Sequence, residues 1–246
     1  MSTLFALSRD LAAPVGPESI SGPVGDMPAQ GLACYDGADA LLIRDVHSAG
    51  LIEHFLQRYR RDCRLLLLRR SLPAADAELA DSQPFARELE GRSHLFVFEG
   101  SLAGLDDGRK YPTSPYAPIG DTVAERAFCV LMARMRALWQ DGKPLPEVRL
   151  AVVTDFAARM RPLGLANFLY CDSELLFVHG HHRADDTDLS GLFVSAGAGE
   201  LRVASRPQRS GDWQPIEPGE VLMIRGAEIL ERVPPVILWS QIEDGL

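Results

Sequence analysis

Lysine is nearly absent from this chain: of 25 Lys and Arg residues only Lys110 and Lys143 are lysine, and no polybasic cluster is present. With 34 acidic residues the formal net charge is −9 at pH 7. Phosphate backbones and anionic lipid repel such a chain, which argues against nucleic acid and membrane surfaces as partners. Long apolar runs are missing too; none approaches the roughly 18–20 residues that span a bilayer. The start carries no basic segment followed by an apolar core, so secretion is not indicated and the cytoplasm is the expected compartment. Cysteine is scarce: Cys34, Cys63, Cys129 and Cys171 are widely separated inside apolar runs. They read as buried reduced thiols, because a disulfide framework or a zinc site calls for closer, paired spacing.

What is present is ordinary globular material. A hydrophobic fraction of 46% and 24% charged residues in a 246-residue chain suit one large domain or two small ones. Residues 3–8 read as a strand, followed by a Gly/Pro/Ser-rich loop over 13–30. Apolar runs at 31–35 and 40–44 flank Asp36-Gly37-Ala38-Asp39, the pattern of a β-hairpin. A helix is predicted over 51–60, with strands over 64–69 and 94–99. The clearest helix covers 122–140, where Thr122 and Glu125 fit a capping box. A strand over 150–153 and a short helix over 155–160 follow. Strands are then expected at 167–171, 174–179, 192–195, 200–205, 221–224 and 236–239. Hairpins favour antiparallel sheets, and helices must cover them, so a layered α/β sandwich is the physical reading.

Several segments, in order, carry a resemblance. The chain starts Met-Ser-Thr-Leu-Phe-Ala-Leu-Ser. Gln83-Pro84-Phe85-Ala86-Arg87-Glu88-Leu89-Glu90-Gly91-Arg92 leads without a gap into Phe96-Val97-Phe98-Glu99-Gly100-Ser101-Leu102. Gly120-Asp121-Thr122-Val123-Ala124-Glu125-Arg126-Ala127-Phe128-Cys129 follows, and Trp213-Gln214-Pro215-Ile216-Glu217-Pro218-Gly219-Glu220 stands near the end. Together these resemble stand-alone bacterial class II, N-terminal nucleophile glutamine amidotransferases, with degenerate catalytic motifs. The resemblance covers essentially the whole chain. It implies a single domain over residues 1–246 and a four-layer αββα sandwich of two antiparallel sheets, as in N-terminal nucleophile hydrolases.

The family's chemistry defines what each position should hold. A Cys, freed by removal of Met1, attacks the glutamine amide with its own α-amine as base. Here the position is Ser2, which serves as a nucleophile only if Met1 is removed. An Asn and a Gly stabilise the oxyanion in the family's His-Asn-Gly; this chain has Phe98-Glu99-Gly100. An ionised carboxylate accepts and does not donate, and losing one oxyanion donor costs about 2.7–4 kcal/mol. The Asp that holds the substrate ammonium is replaced by Val123, and the neighbouring Ser by Ala124. The Arg for the substrate carboxylate is Arg69 or Arg70; Arg70, Glu99 and Gly100 are the candidate walls of the former glutamine pocket.

The resemblance therefore implies a protein that has lost glutaminase activity and serves as a scaffold, regulatory subunit or binding protein. One alternative is a Ser-nucleophile amidohydrolase of altered substrate; another is the glutaminase subunit of an amidotransferase. An active amidotransferase, a synthase or another protein is the expected partner, and a homo-oligomer is open. No cofactor is expected and no metal either: His179-Gly180-His181-His182-Arg183-Ala184-Asp185-Asp186 has suitable residue types but reads as a solvated loop.

Overall fold

Period-two alternation sets the layers. The computed structural model describes residues 2–20, 29–48, 50–59, 61–71, 78–181, 191–207 and 211–236, without the side chains of Ser2 and Arg61. Strands β1 (Ser2–Val15), β2 (Ala29–Asp36), β3 (Asp39–Asp45) and β4 (Arg61–Ser71) join β9 (Phe193–Gly197), β10 (Glu200–Ala204) and β11 (Gln214–Pro215) in one sheet. Its order is β11-β9-β10-β1-β4-β2-β3. The second sheet, ordered β13-β12-β8-β7-β6-β5, holds β5 (Phe85–Leu89), β6 (Arg92–Leu102), β7 (Gly164–Cys171), β8 (Leu176–His179), β12 (Val221–Arg225) and β13 (Glu228–Val233). Among the described residues every pairing is antiparallel.

Leu4, Ala6, Leu65 and Leu67 point inward and meet Leu95, Val97 and Leu169 of the second sheet. The alternate residues Phe5, Leu7, Leu66 and Leu68 pack outward under α1 (Leu51–Arg58), through Ile52 and Leu56. On the other flank Phe96, Phe98, Phe168 and Tyr170 pack against α2 (Val123–Trp139) and α3 (Pro146–Met160). This gives the four layers α, β, β, α that the resemblance implies. Each fully buried Leu, Phe or Met contributes about 1.5–3 kcal/mol relative to exposure, so the three apolar interfaces dominate the cohesion.

Several expectations are revised. Residues 150–153 are not a strand; they continue one helix, α3, that also takes in 155–160. Pro146 starts this helix in its first turn, and Leu150, Val153, Ala157 and Met160 bury one helical face. Burial of that face outweighs the strand preference of Val152-Val153-Thr154. Strands β5, β11 and β13 add three elements to those expected. Val236 lies outside any strand, and the rest of the expected last strand lies outside the described residues. The reading of four reduced thiols is corrected as well. Cys34 on β2 and Cys63 on β4 form a disulfide with their Cα atoms 6.1 Å apart, while Cys129 and Cys171 are free and buried. The partners are close because β2 and β4 are paired neighbours, a proximity that sequence spacing does not report. Among the described residues no helix is long and apolar enough to cross a membrane.

Candidate functional site

The candidate site lies where the amino-terminal end of β1 meets the carboxyl end of β4 and the far end of β6. Ser2 opens β1 and pairs with Ser71, which also pairs with Ala29 of β2. Facing them in the second sheet, Glu99 sits directly across from Asn167, and Gly100 across from Ala166.

Alternation decides which side chains enter the space between the sheets. Glu99 continues the inward series Leu95, Val97, and Asn167 precedes Leu169 and Cys171 on the same face. Arg69 continues Leu65 and Leu67; its Nε donates to Phe98 O at 3.2 Å and its Nη1 to Arg70 O at 2.6 Å. Arg70 has the opposite parity. It is 1% exposed and turns outward to an ion pair between its Nη2 and Glu53 Oε1 of α1. The structure thus brings Arg69, Glu99, Gly100 and Asn167 to one mouth and places the Arg70 side chain on the other face of the sheet.

The electrostatics follow from burial. Glu99 is 5% exposed, and loss of water raises its pKa above the ordinary carboxylate value, while Arg69 and Arg206 pull it back down. Desolvation in turn lowers Arg69 to about 10, with Glu99 opposing that shift. The coupling is mutual: the buried Glu99 carboxyl feels the positive charges of Arg69 and Arg206, and Arg69 feels the charge of Glu99. Asn167 is buried, and its Oδ1 accepts from the backbone N–H of His181 at 2.7 Å. Asn167 carries no motif signal and enters through the inward parity of β7. Arg206 lies in Val203-Ala204-Ser205-Arg206-Pro207, a segment that also resembles the family but assigns it no site role, and its coupling to Glu99 emerges from its position just past β10.

Motif residues that persist have structural work to do. Gly100 has φ 149°, and an ideal Cβ there would lie 1.9 Å from Leu165 O. Close approach of β7 therefore requires glycine whatever the chemistry. A Cβ on Gly31 would likewise lie 1.6 Å from Gln83 O. Thr122 Oγ1 caps α2 by accepting from Glu125 N at 3.2 Å, but the Glu125 carboxylate does not return to the cap. It accepts from Gly120 N at 2.8 Å and pairs with Arg87 Nη2 at 2.5 Å. Glu125 is buried, so this pair ties β5 to α2. Val123, at the position of the family's ammonium-binding Asp, packs on the apolar core under α2.

The histidine-rich segment divides. His179 ends β8, fully buried against Phe168, and its Nδ1 donates to Glu220 O at 3.1 Å. It is not in a solvated loop, and burial lowers its pKa to about 3. Residues 182–186 lie outside the described residues. Among the described residues no group of three or more His, Cys, Asp or Glu side chains is arranged to hold a metal ion.

Two antiparallel sheets faced by helices, stacked as four layers, match the N-terminal nucleophile type of amidotransferase fold. The profile of class II glutamine amidotransferases matches residues 29–241, and the chain belongs to that family. It is 24% identical to the Escherichia coli K12 protein named "Putative glutamine amidotransferase YafJ", over 77% of this chain and 82% of that one. An uncharacterised protein of Methanocaldococcus jannaschii is 24% identical over 65% of this chain; the chain spans about 50% of that protein's length. The crystal structure of a predicted glutamine amidotransferase from Pseudomonas aeruginosa superimposes with a TM-score of 0.64 at 22% identity, covering 93% of this chain and 99% of that one.

Proposed function

We propose that this family member keeps the amidotransferase frame without hydrolysing glutamine, and that its inter-sheet mouth binds a ligand or a partner protein instead. The observation that carries this reading is Glu99. Its buried carboxylate, coupled to Arg69 and Arg206, occupies the position where the family resemblance calls for an oxyanion-stabilising Asn. A carboxylate beside a developing oxyanion repels it, and loss of the donor alone removes about 2.7–4 kcal/mol of transition-state stabilisation. The ammonium-binding Asp is replaced by Val123, so the substrate would also lose its anchor. A cleft holding a carboxylate and two guanidinium groups suits a ligand or peptide segment that bears both charges. An active amidotransferase or a synthase is the partner class this reading favours, in the cytoplasm.

The test is ammonia release from L-glutamine by the purified chain and by Ser2→Ala. The expected result is no rate above background in either. An enzyme-like rate in the wild type that disappears in Ser2→Ala would overturn the proposal.

A further inference from the structure

A second cavity lies at the opposite end of the sandwich. Ser8 and Arg9, which line it, are six and seven residues along β1 from Ser2, roughly 20 Å at the rise of an antiparallel strand. The turns β2–β3, β7–β8 and β12–β13 and the start of β6 converge there around a volume of about 620 Å³. The chain as a whole is acidic, at −9, yet this cavity is lined by five cations: Arg9, Arg64, Arg92, Lys143 and Arg225. Three carboxylates share the lining, Asp36, Asp62 and Glu174, and Arg9 is paired with Glu200 from outside it at 2.8 Å, which leaves a formal surplus of one positive charge.

Two of those carboxylates stay out of the ion pairing. Among the described residues Asp36 and Asp62 pair with none of the five cations. Glu174 is shared by Lys143 at 3.0 Å, Arg225 at 2.9 Å and the buried Arg149 at 3.0 Å. Arg149 itself is anchored by Asp172 at 2.7 Å beneath the cavity. One half-buried carboxylate therefore answers three cations. Among the described residues Arg64 donates only to the backbone oxygen of Arg9, at 3.5 Å, and Arg92 only to Ser173 Oγ, at 2.9 Å. Neither guanidinium faces a carboxylate partner among the described residues, and each keeps donors in the fork geometry that suits phosphate or carboxylate oxygens.

We infer that this cationic cavity is a binding site for a small polyanion, a diphosphate-type or polycarboxylate metabolite, separate from the inter-sheet mouth. Arg64 and Arg92 supply the free guanidinium donors. Lys143 and Arg225, released in part from Glu174, neutralise a second charge. The volume holds a metabolite and not a polymer, consistent with an acidic surface that repels nucleic acid.

The test is calorimetric titration of the full chain with pyrophosphate and, separately, with citrate, each matched for ionic strength with sodium chloride. Saturable binding of one or both is expected, and the stronger ligand distinguishes phosphate from carboxylate recognition. The double variant Arg64→Gln, Arg92→Gln, both positions being at least partly exposed, is expected to bind at least tenfold more weakly with an unchanged urea midpoint. Arg206→Gln, at the other end, is expected to bind like the wild type. No saturable heat with either anion, equal affinity in the double variant, or loss of binding in Arg206→Gln would each overturn the inference.

Discussion

Acid is expected to destabilise this protein well above the range in which its carboxylates titrate, through two histidines buried in neutral form. His94 is fully buried, edge-on to Trp139 at 5.2 Å, with Nδ1 2.6 Å from Tyr170 Oη. Burial lowers its pKa from 6.5 to about 4, and that of His179 from 6.5 to about 3. The Nε2 atoms of both rings are buried without a hydrogen-bond partner, so neither has an acceptor ready for the second proton. Because the folded pKa values are depressed, the unfolded chain binds more protons between pH 6.5 and pH 3–4. Stability is complete above pH 6.5 and falls as the pH falls through that window. At pH 5 the pH lies about 1.5 units below the unfolded value, which at about 1.36 kcal/mol per unit gives about 2 kcal/mol for each ring. Urea unfolding at pH 8 and pH 5 measures this. The wild type should lose about 4 kcal/mol from the two rings together. In His179→Asn the amide keeps a donor near Glu220 O but does not titrate, so about 2 kcal/mol of that loss should disappear. If His179→Asn loses as much as the wild type between the two pH values, neutral burial of His179 is refuted.

Arg70 and Arg69 should separate by role. Glu53→Ala strands the buried Arg70 guanidinium and should cost about 3 kcal/mol in urea unfolding, whereas Arg69→Ala should act mainly on ligand binding at the mouth and cost less. Gly100→Ala should destabilise by at least about 2 kcal/mol, since the methyl meets Leu165 O and the backbone lies at positive φ. An unchanged melting temperature would show that β7 yields there. Reducing the Cys34–Cys63 bridge reopens a loop with a sequence separation of 29. Chain entropy for such a loop amounts to about 3–4 kcal/mol, read as a lower urea midpoint in dithiothreitol; an unchanged midpoint would mean the thiols do not stabilise the sheet.

The two-sheet sandwich was legible because its strands alternate and its hairpins carry turn residues, as at Asp36-Gly37-Ala38-Asp39. The long helix was legible from its period and from Thr122. The α3 helix was not, since Val152-Val153-Thr154 favours a strand locally, and the helix is fixed by packing over β7 and by Arg149 reaching Asp172. At the site, motif resemblance singled out Glu99 and Gly100. It could not choose between Arg69 and Arg70, because facing is a property of pairing and not of adjacency. Asn167 was read only as the start of a strand; its cross-strand place opposite Glu99 depends on register. The disulfide escaped for a related reason: Cys34 and Cys63 meet through the adjacency of β2 and β4, which sequence spacing does not report.

The buried run Leu65–Leu68 has a further consequence. Leucines on both faces accept either orientation, so hydrophobicity alone does not forbid β4 from slipping by one residue against β1 and β2. Such a slip would carry Arg69 under α1 and swing Arg70 into the mouth. What opposes it is polar and covalent: Glu53 waiting on one face, Glu99 on the other, and Cys63 fastened to Cys34. The charges at the mouth are thus also the index marks by which the strand finds its place, and relocating one of them threatens the alignment of the whole sheet.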